Sequence, residues 1–177
     1  LDPTLLADRL ASDRQHPIAG LEADTCTEQE GVPGPWHLRL PHFRLDQTPS
    51  VGSELQSEYF VARCHVRRAL TALDSLRQDL APLLHVSEIR SVAADDLWLS
   101  PCYQRDGLAL HFTWKKDWPR VSQLLPRIEA ALEPFGARPH WGKLFTLAPK
   151  QLQAQYEKLD GFRDLLQRHD PTSKFGN

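Results

Sequence analysis

"LALHFTWK", residues 108–115, decides the fold. Its side chains alternate. Leu108, Leu110, Phe112 and Trp114 point one way, and Ala109, His111, Thr113 and Lys115 point the other. Period-two alternation with β-branched and aromatic residues reads as a strand. Upstream, "HVSEIRSVA" (85–93) alternates as well, with Val86, Glu88, Arg90 and Val92 on one face and Ser87, Ile89 and Ser91 on the other. The turn-rich "LSPCYQRDG" separates the two, so they read as neighbouring strands.

Working outward, "ELQSEYFVA" (54–62) is a further strand, with Leu55, Tyr59 and Val61 on one face and Phe60 on the other. Val66, Ala69, Leu70, Leu73, Leu76 and Leu80 then recur at helical spacing, and Pro82 closes that helix. Asp117 caps a second helix with Pro119 in its first turn, and Val121, Leu124, Leu125, Ile128, Leu132 and Phe135 line its buried side. Pro126 is expected to kink it. "ARPHWGKLFTL" supplies a short fourth strand, and 149–168 reads as one or two helices ended by Asp170-Pro171. The order βαββαβ predicts an α+β fold. It is a ferredoxin-like plait, an antiparallel sheet with helices on one face, followed by C-terminal helices. Residues 2–12 read as a short helix, and 13–53 as a long irregular segment rich in Pro and Gly. The expected organisation is therefore 1–53, N-terminal helix and irregular segment; 54–148, plait; 149–177, helical tail.

The 177 residues are 41% apolar and 25% charged, and 21 Lys plus Arg face 23 Asp plus Glu. That balance argues against a nucleic-acid surface or a polybasic membrane anchor. No run approaches the ~20 apolar residues that span a bilayer. Cys26, Cys64 and Cys102 lack CxxC spacing and fit free thiols in a reducing compartment, so a cytoplasmic location is expected. The eight His show no zinc spacing, and no metal is expected. GxGxxG, P-loop and GxSxG motifs are absent. Leu1 at the start and the lack of Met suggest a fragment of a longer protein.

The candidate chemistry lies on one sheet face. Glu88 and Arg90 share a face of one strand, and His111 and Thr113 share a face of the next. Lys143, from "RPHWGKLF" (138–145), joins them if these faces coincide. Each residue also has an ordinary structural reading. Glu-x-Arg can be a solvated ion pair, His111 a hydrogen-bonded core residue, and "HWGK" a surface turn. "SELQSEYF" holds two Glu four apart that share a face, and nothing in the sequence partners them.

"CTEQEGVPGPWHLRLPHF", "ELQSEYF", "SEIRSVAADDLWLSP", "ALHFTW", "RPHWGK" and "DPTSKFGN" resemble, in order, the C-terminal half of bacterial alditol (xylitol/sorbitol) oxidases. These belong to the aldonolactone oxidase group of the vanillyl-alcohol oxidase superfamily. The resemblance runs from about residue 22 to the end, and the first twenty residues match nothing in it. It implies a substrate-binding cap domain that meets FAD held mainly by an N-terminal domain absent from this chain. In the alditol oxidases that FAD is attached through a histidine. The family's polyol-binding residues carry over onto Glu88, Arg90, His111, Thr113 and Lys143. A further substrate-contacting serine of the family lies in the absent domain.

The implied reaction is oxidation of a terminal alditol hydroxyl to the aldehyde. Hydride goes to flavin N5 and oxygen is reduced to hydrogen peroxide. His111 would take the proton, since an ordinary imidazole titrates near ~6.5. Arg90 and Lys143 would offset negative charge on the alkoxide and near flavin N1. The implied partners are a small polyol and the FAD domain, and the chain alone is expected to be inactive. Two alternatives stay open: a cap domain acting on sugar-1,4-lactones, and a non-catalytic α+β binding module.

Overall fold

The computed structural model describes residues 13–16, 18, 20–39, 44, 46 and 54–175. The helix expected over 2–12 lies outside them. The chain divides into two compact units, 1–54 and 55–177. In the first, the described residues form two three-residue 3-10 turns, Ala23–Thr25 and Trp36–Leu38, joined by irregular backbone. Proline at positions 33 and 35 removes amide donors there.

The second unit carries the plait. Its strands are β1 (Glu54–Ala62), β2 (Leu84–Val92), β3 (Gly107–Lys115) and β4 (Arg138–Pro139), in the order β2-β3-β1-β4. β2 pairs antiparallel with β3, and β4 antiparallel with β1. Each βαβ half is split, because one strand of the other half lies between its two strands. The helices are α1 (Val66–Asp74), α2 (Arg77–Leu80), α3 (Trp118–Leu132), α4 (Pro149–Gln153) and α5 (Leu159–His169).

The apolar stripe over 66–80 is continuous in sequence, but the helix is not. Leu76 N–H bonds back to Leu73 O, a tight three-residue closure that ends α1 before α2 restarts. Asp117 caps α3, accepting from the Arg120 amide at 3.3 Å. The helix runs on through Pro126 to Leu132. Gly136, at φ +58°, supplies the left-handed residue that turns the chain toward β4.

The core lies between one sheet face and α1, α2 and α3. Tyr59 and Val61 from β1, with Leu110, Phe112 and Trp114 from β3, meet Ala69, Leu73, Val121, Leu125 and Ile128. The polar atoms buried there are paired. Trp114 Nε1 donates to Ser57 Oγ at 2.9 Å, and the Tyr59 hydroxyl donates to Glu129 Oε1 at 2.9 Å. Glu129 also accepts from the Thr146 amide and hydroxyl. These bonds tie the segment after β4 to α3 without leaving an unmade bond in the apolar layer.

The fourth strand is shorter than the sequence implies. Only 138–139 ladder with β1, and "HWGKLFTL" does not continue as strand. His140 N–H bonds Glu58 O and Leu144 N–H bonds Gln56 O, both at 2.9 Å, while 141–143 bow outward between them. Inside the bow, the Gly142 amide donates to His140 Nδ1 at 3.0 Å. Lys143 therefore stands on a turn, not on a strand.

Candidate functional site

The sheet face away from the core helices gathers the charged residues. In an antiparallel ladder, directly opposed residues share a face. Glu88 stands opposite His111, and Arg90 opposite Ala109. Alternation puts Thr113 on that face, and it places Glu58 of β1 there as well, since Tyr59 and Val61 face the core.

Glu58 is the hub. Its side chain is 4% exposed. Oε1 accepts from Arg90 Nη2 at 2.6 Å, and Oε2 accepts from Lys143 Nζ at 2.5 Å. His111 Nδ1 lies 3.6 Å from Oε2, beyond a direct hydrogen bond but within charge range. Arg90 Nη1 also lies 3.7 Å from Glu88 Oε2. Burial pushes the Glu58 carboxyl up. The adjacent His111 side chain, the hydrogen bond from Lys143 and the charges of Lys143 and Arg90 outweigh burial and hold it at about 2. The carboxylate is therefore ionised throughout the neutral range.

The imidazole is clamped at both nitrogens. Lys143 Nζ lies 2.9 Å from Nδ1, and Thr113 Oγ1 lies 3.1 Å from Nε2. An ammonium only donates, so Nδ1 accepts, and a neutral ring then carries its hydrogen on Nε2 toward Thr113. Exposure grades across the cluster. His111 and Thr113 are each 6% exposed, whereas the Lys143 side chain is 18% exposed and Arg90 40%. A ligand from solvent meets Arg90 and Lys143 before it meets the ring.

The bow at 141–143 aims Lys143. Trp141 Nε1 donates to Leu99 O at 2.8 Å, and its ring packs 4.8 Å from the Tyr156 ring. "HWGK" is thus one wall of the cluster, pinned on its outer side by an indole. His140 stacks on Phe60. Burial, then the nearby Lys143 charge, lowers its pKa below the ordinary imidazole value.

Glu88, Arg90, His111, Thr113 and Lys143 thus fall on one face and in one cluster, though Glu88 touches it through Arg90 at long range. Glu58 is the residue the sequence reading passed over, because it found no partner for that carboxylate. The partners sit 32, 53 and 85 positions away, at Arg90, His111 and Lys143. The available signal was alternation. Glu58 shares a face with Phe60, opposite the apolar Leu55, Tyr59 and Val61, and so faces the same layer as His111.

A groove of about 570 Å³ lies on the other side of the sheet, against α1 and α2. Leu70, Leu73, Leu80, Leu84, Ile89 and Phe112 form the apolar part of its lining, and Asp74 and Arg77, paired with each other at 2.6 Å, stand among its polar residues. Among the described residues, no group of three or more His, Cys, Asp or Glu is arranged to hold a metal ion.

The sequence matches the family described as D-arabinono-1,4-lactone oxidase over residues 48–177. It is 51% identical over 169 residues to an alditol oxidase of Streptomyces sp. (strain IKD472 / FERM P-14339), covering 96% of this chain and 41% of that protein. It is 35% identical over 94 residues to L-gulonolactone oxidase of Mus musculus, covering 51% of this chain and 21% of that protein. It is 30% identical over 125 residues to L-gulono-1,4-lactone dehydrogenase of Mycobacterium tuberculosis, covering 69% and 28%. The chain spans less than half the length of these curated relatives.

Proposed function

Because the chain belongs to the D-arabinono-1,4-lactone oxidase family, we propose that it is the substrate-binding part of an FAD-dependent oxidase acting on alditols such as xylitol and sorbitol. The observation that carries this reading is the convergence of Arg90, Lys143 and His111 on the buried Glu58 carboxylate. A polyol is a chain of hydroxyls with no charge. It is held by fixed donors and acceptors, which here stand on strands β1, β2 and β3 and on the turn that carries Lys143.

Arg90 and Lys143 each keep donors beyond those given to Glu58, and these bind substrate hydroxyl oxygens. Glu88 accepts from a hydroxyl further along the chain, and Thr113 gives one more polar contact beside the ring. His111 is the terminal acceptor for the proton of the reacting hydroxyl. The two cations offset the negative charge that develops on the substrate oxygen as that proton leaves. Their ion pairs with the buried Glu58 carboxylate fix them in place before substrate arrives, so little reorganisation is needed.

Family membership implies FAD. Arg90 and Lys143 are the residues that would meet the flavin ring, near N1, and would offset negative charge there. Glycine-rich phosphate motifs are absent from the sequence, so this reading assigns the nucleotide end to a partner FAD domain. When bound, FAD supplies the hydride acceptor and passes the electrons to oxygen, giving hydrogen peroxide. The domain division that follows is 1–53 as a leading segment, 54–148 as the substrate plait and 149–177 as a tail returning to the FAD domain. All three cysteines are free, which suits the cytoplasm. Among the described residues, no helix is long and apolar enough to cross a membrane.

A second reading, oxidation of a sugar-1,4-lactone, is favoured by the family description and by the lactone-acting relatives. The alditol reading rests on the higher identity and coverage of the Streptomyces relative. Peroxide formation by the full-length protein with xylitol, sorbitol and a sugar lactone separates the two. Faster turnover of the alditols is expected, and faster turnover of the lactone would overturn the choice.

A further inference from the structure

The Glu58 carboxylate is buried, ionised and too deep to meet a substrate that enters at Arg90. His111 is nearly as deep, yet it is the group assigned the substrate proton. Lys143 lies between that ring and the more exposed rim. We propose that Glu58 is a positioning residue that clamps the Lys143 ammonium onto His111 Nδ1, so that the substrate proton reaches the buried imidazole through Lys143.

The donor count supports this. Of the three N–H bonds on Lys143, one goes to Glu58 Oε2 at 2.5 Å and one to His111 Nδ1 at 2.9 Å. The third remains to meet a substrate hydroxyl. In the relay, the Nζ–H bond facing the ring breaks as an Nδ1–H bond forms. The freed lone pair on Nζ faces the ring, so the amine turns about its Cε–Nζ bond, and the substrate O–H bond then breaks as a new Nζ–H bond forms. The lysine ends as an ammonium again, the ring becomes an imidazolium carrying hydrogen at both nitrogens, and the substrate oxygen carries the electron pair of its lost O–H bond. Glu58 Oε2, 3.6 Å from Nδ1, is the counter-charge for that imidazolium. A buried carboxylate that orients an imidazole and stabilises its protonated form is a general device. The charged and titratable groups around the ring are Glu58 from β1, Glu88 and Arg90 from β2, and Lys143 and His140 from the segment after β4.

The inference rests on the oxidase reading for its substrate, but its clamp is testable without turnover. Long-range proton–nitrogen NMR of the histidine rings in the full chain reports which His111 nitrogen carries hydrogen. The wild type is expected to show one tautomer, Nε2–H. Glu58→Asp is expected to keep it, while Glu58→Gln and Lys143→Met yield a mixture. An Nδ1–H ring in the wild type, or an unchanged signature in both of the last two variants, overturns the clamp. If Glu58→Gln does not fold, Lys143→Met carries the same readout, since its side chain is at the partly exposed rim.

The relay is tested in the full-length, FAD-containing protein with Lys143→Arg. A guanidinium keeps the charge and the Glu58 pair but cannot pass on its proton. The expected result is a loss of tenfold or more in kcat for xylitol, with KM changed less. Turnover within twofold of wild type overturns the relay. Wild-type protein that makes no peroxide from any polyol overturns the oxidase reading instead, and the tautomer result still decides the clamp.

Discussion

Replacing Glu58 by Gln removes the charge around which the cluster is built, and the cost is calculable. The Glu58 carboxyl falls from 4.5 to about 2 in the folded protein. At ~1.4 kcal/mol per pKa unit, that difference contributes ~3 kcal/mol to stability at neutral pH. The group is buried, so solvent does not screen the figure away. The sign follows from the direction. A carboxyl whose folded pKa is depressed stabilises fully above its unfolded value of 4.5, and the contribution is lost as pH falls through about 2. At pH 3 the unfolded chain is already protonated and the folded one is not, so roughly 1.4 kcal/mol remains. Urea unfolding of wild type and Glu58→Gln at pH 7 and pH 3 measures the gap at each. A gap of ~3 kcal/mol that halves at pH 3 is expected. A gap that is the same at both pH values, or absent at pH 7, would refute the reasoning.

Other outcomes follow from the same contacts. Leu125→Ala removes a fully buried α3 side chain and is expected to cost ~2–5 kcal/mol in urea unfolding, with activity lost only in proportion to folded protein. Absorbance titration through pH 11 is expected to leave the Tyr59 and Tyr156 phenols protonated, because burial raises both, Tyr156 to about 12 and Tyr59 further with help from Glu129. Glu129→Gln should bring Tyr59 ionisation closer to the ordinary phenol range in the same titration. Trp141→Phe keeps an aromatic ring against Tyr156 but loses the bond to Leu99 O. It should raise KM for xylitol severalfold, with stability changed by about 1 kcal/mol.

Much of the plait was legible because strand alternation and the helical stripes are local signals. β1, β2 and β3 fall within a residue of the alternating stretches, and register then places Glu88 opposite His111 without further information. What stayed hidden was set by contacts between distant residues or by side-chain bonds in turns. The bow at 141–143 depends on Gly142 meeting His140 Nδ1, so "HWGKLF" looks like strand and is not. The break between α1 and α2 leaves the apolar spacing intact and therefore no trace in it. α3 continues on both sides of Pro126, with Leu124, Leu125 and Ile128 held in the core. Glu58 needed three partners from other elements before its role showed.

The central claim is that a sugar alcohol binds at the cluster around Glu58. A crystal structure of the full-length protein soaked with xylitol tests it directly. The account predicts substrate hydroxyls within hydrogen-bond distance of both Lys143 Nζ and the Arg90 guanidinium. Xylitol seated away from these two side chains, for example in the apolar groove between α1, α2 and β2, would contradict it.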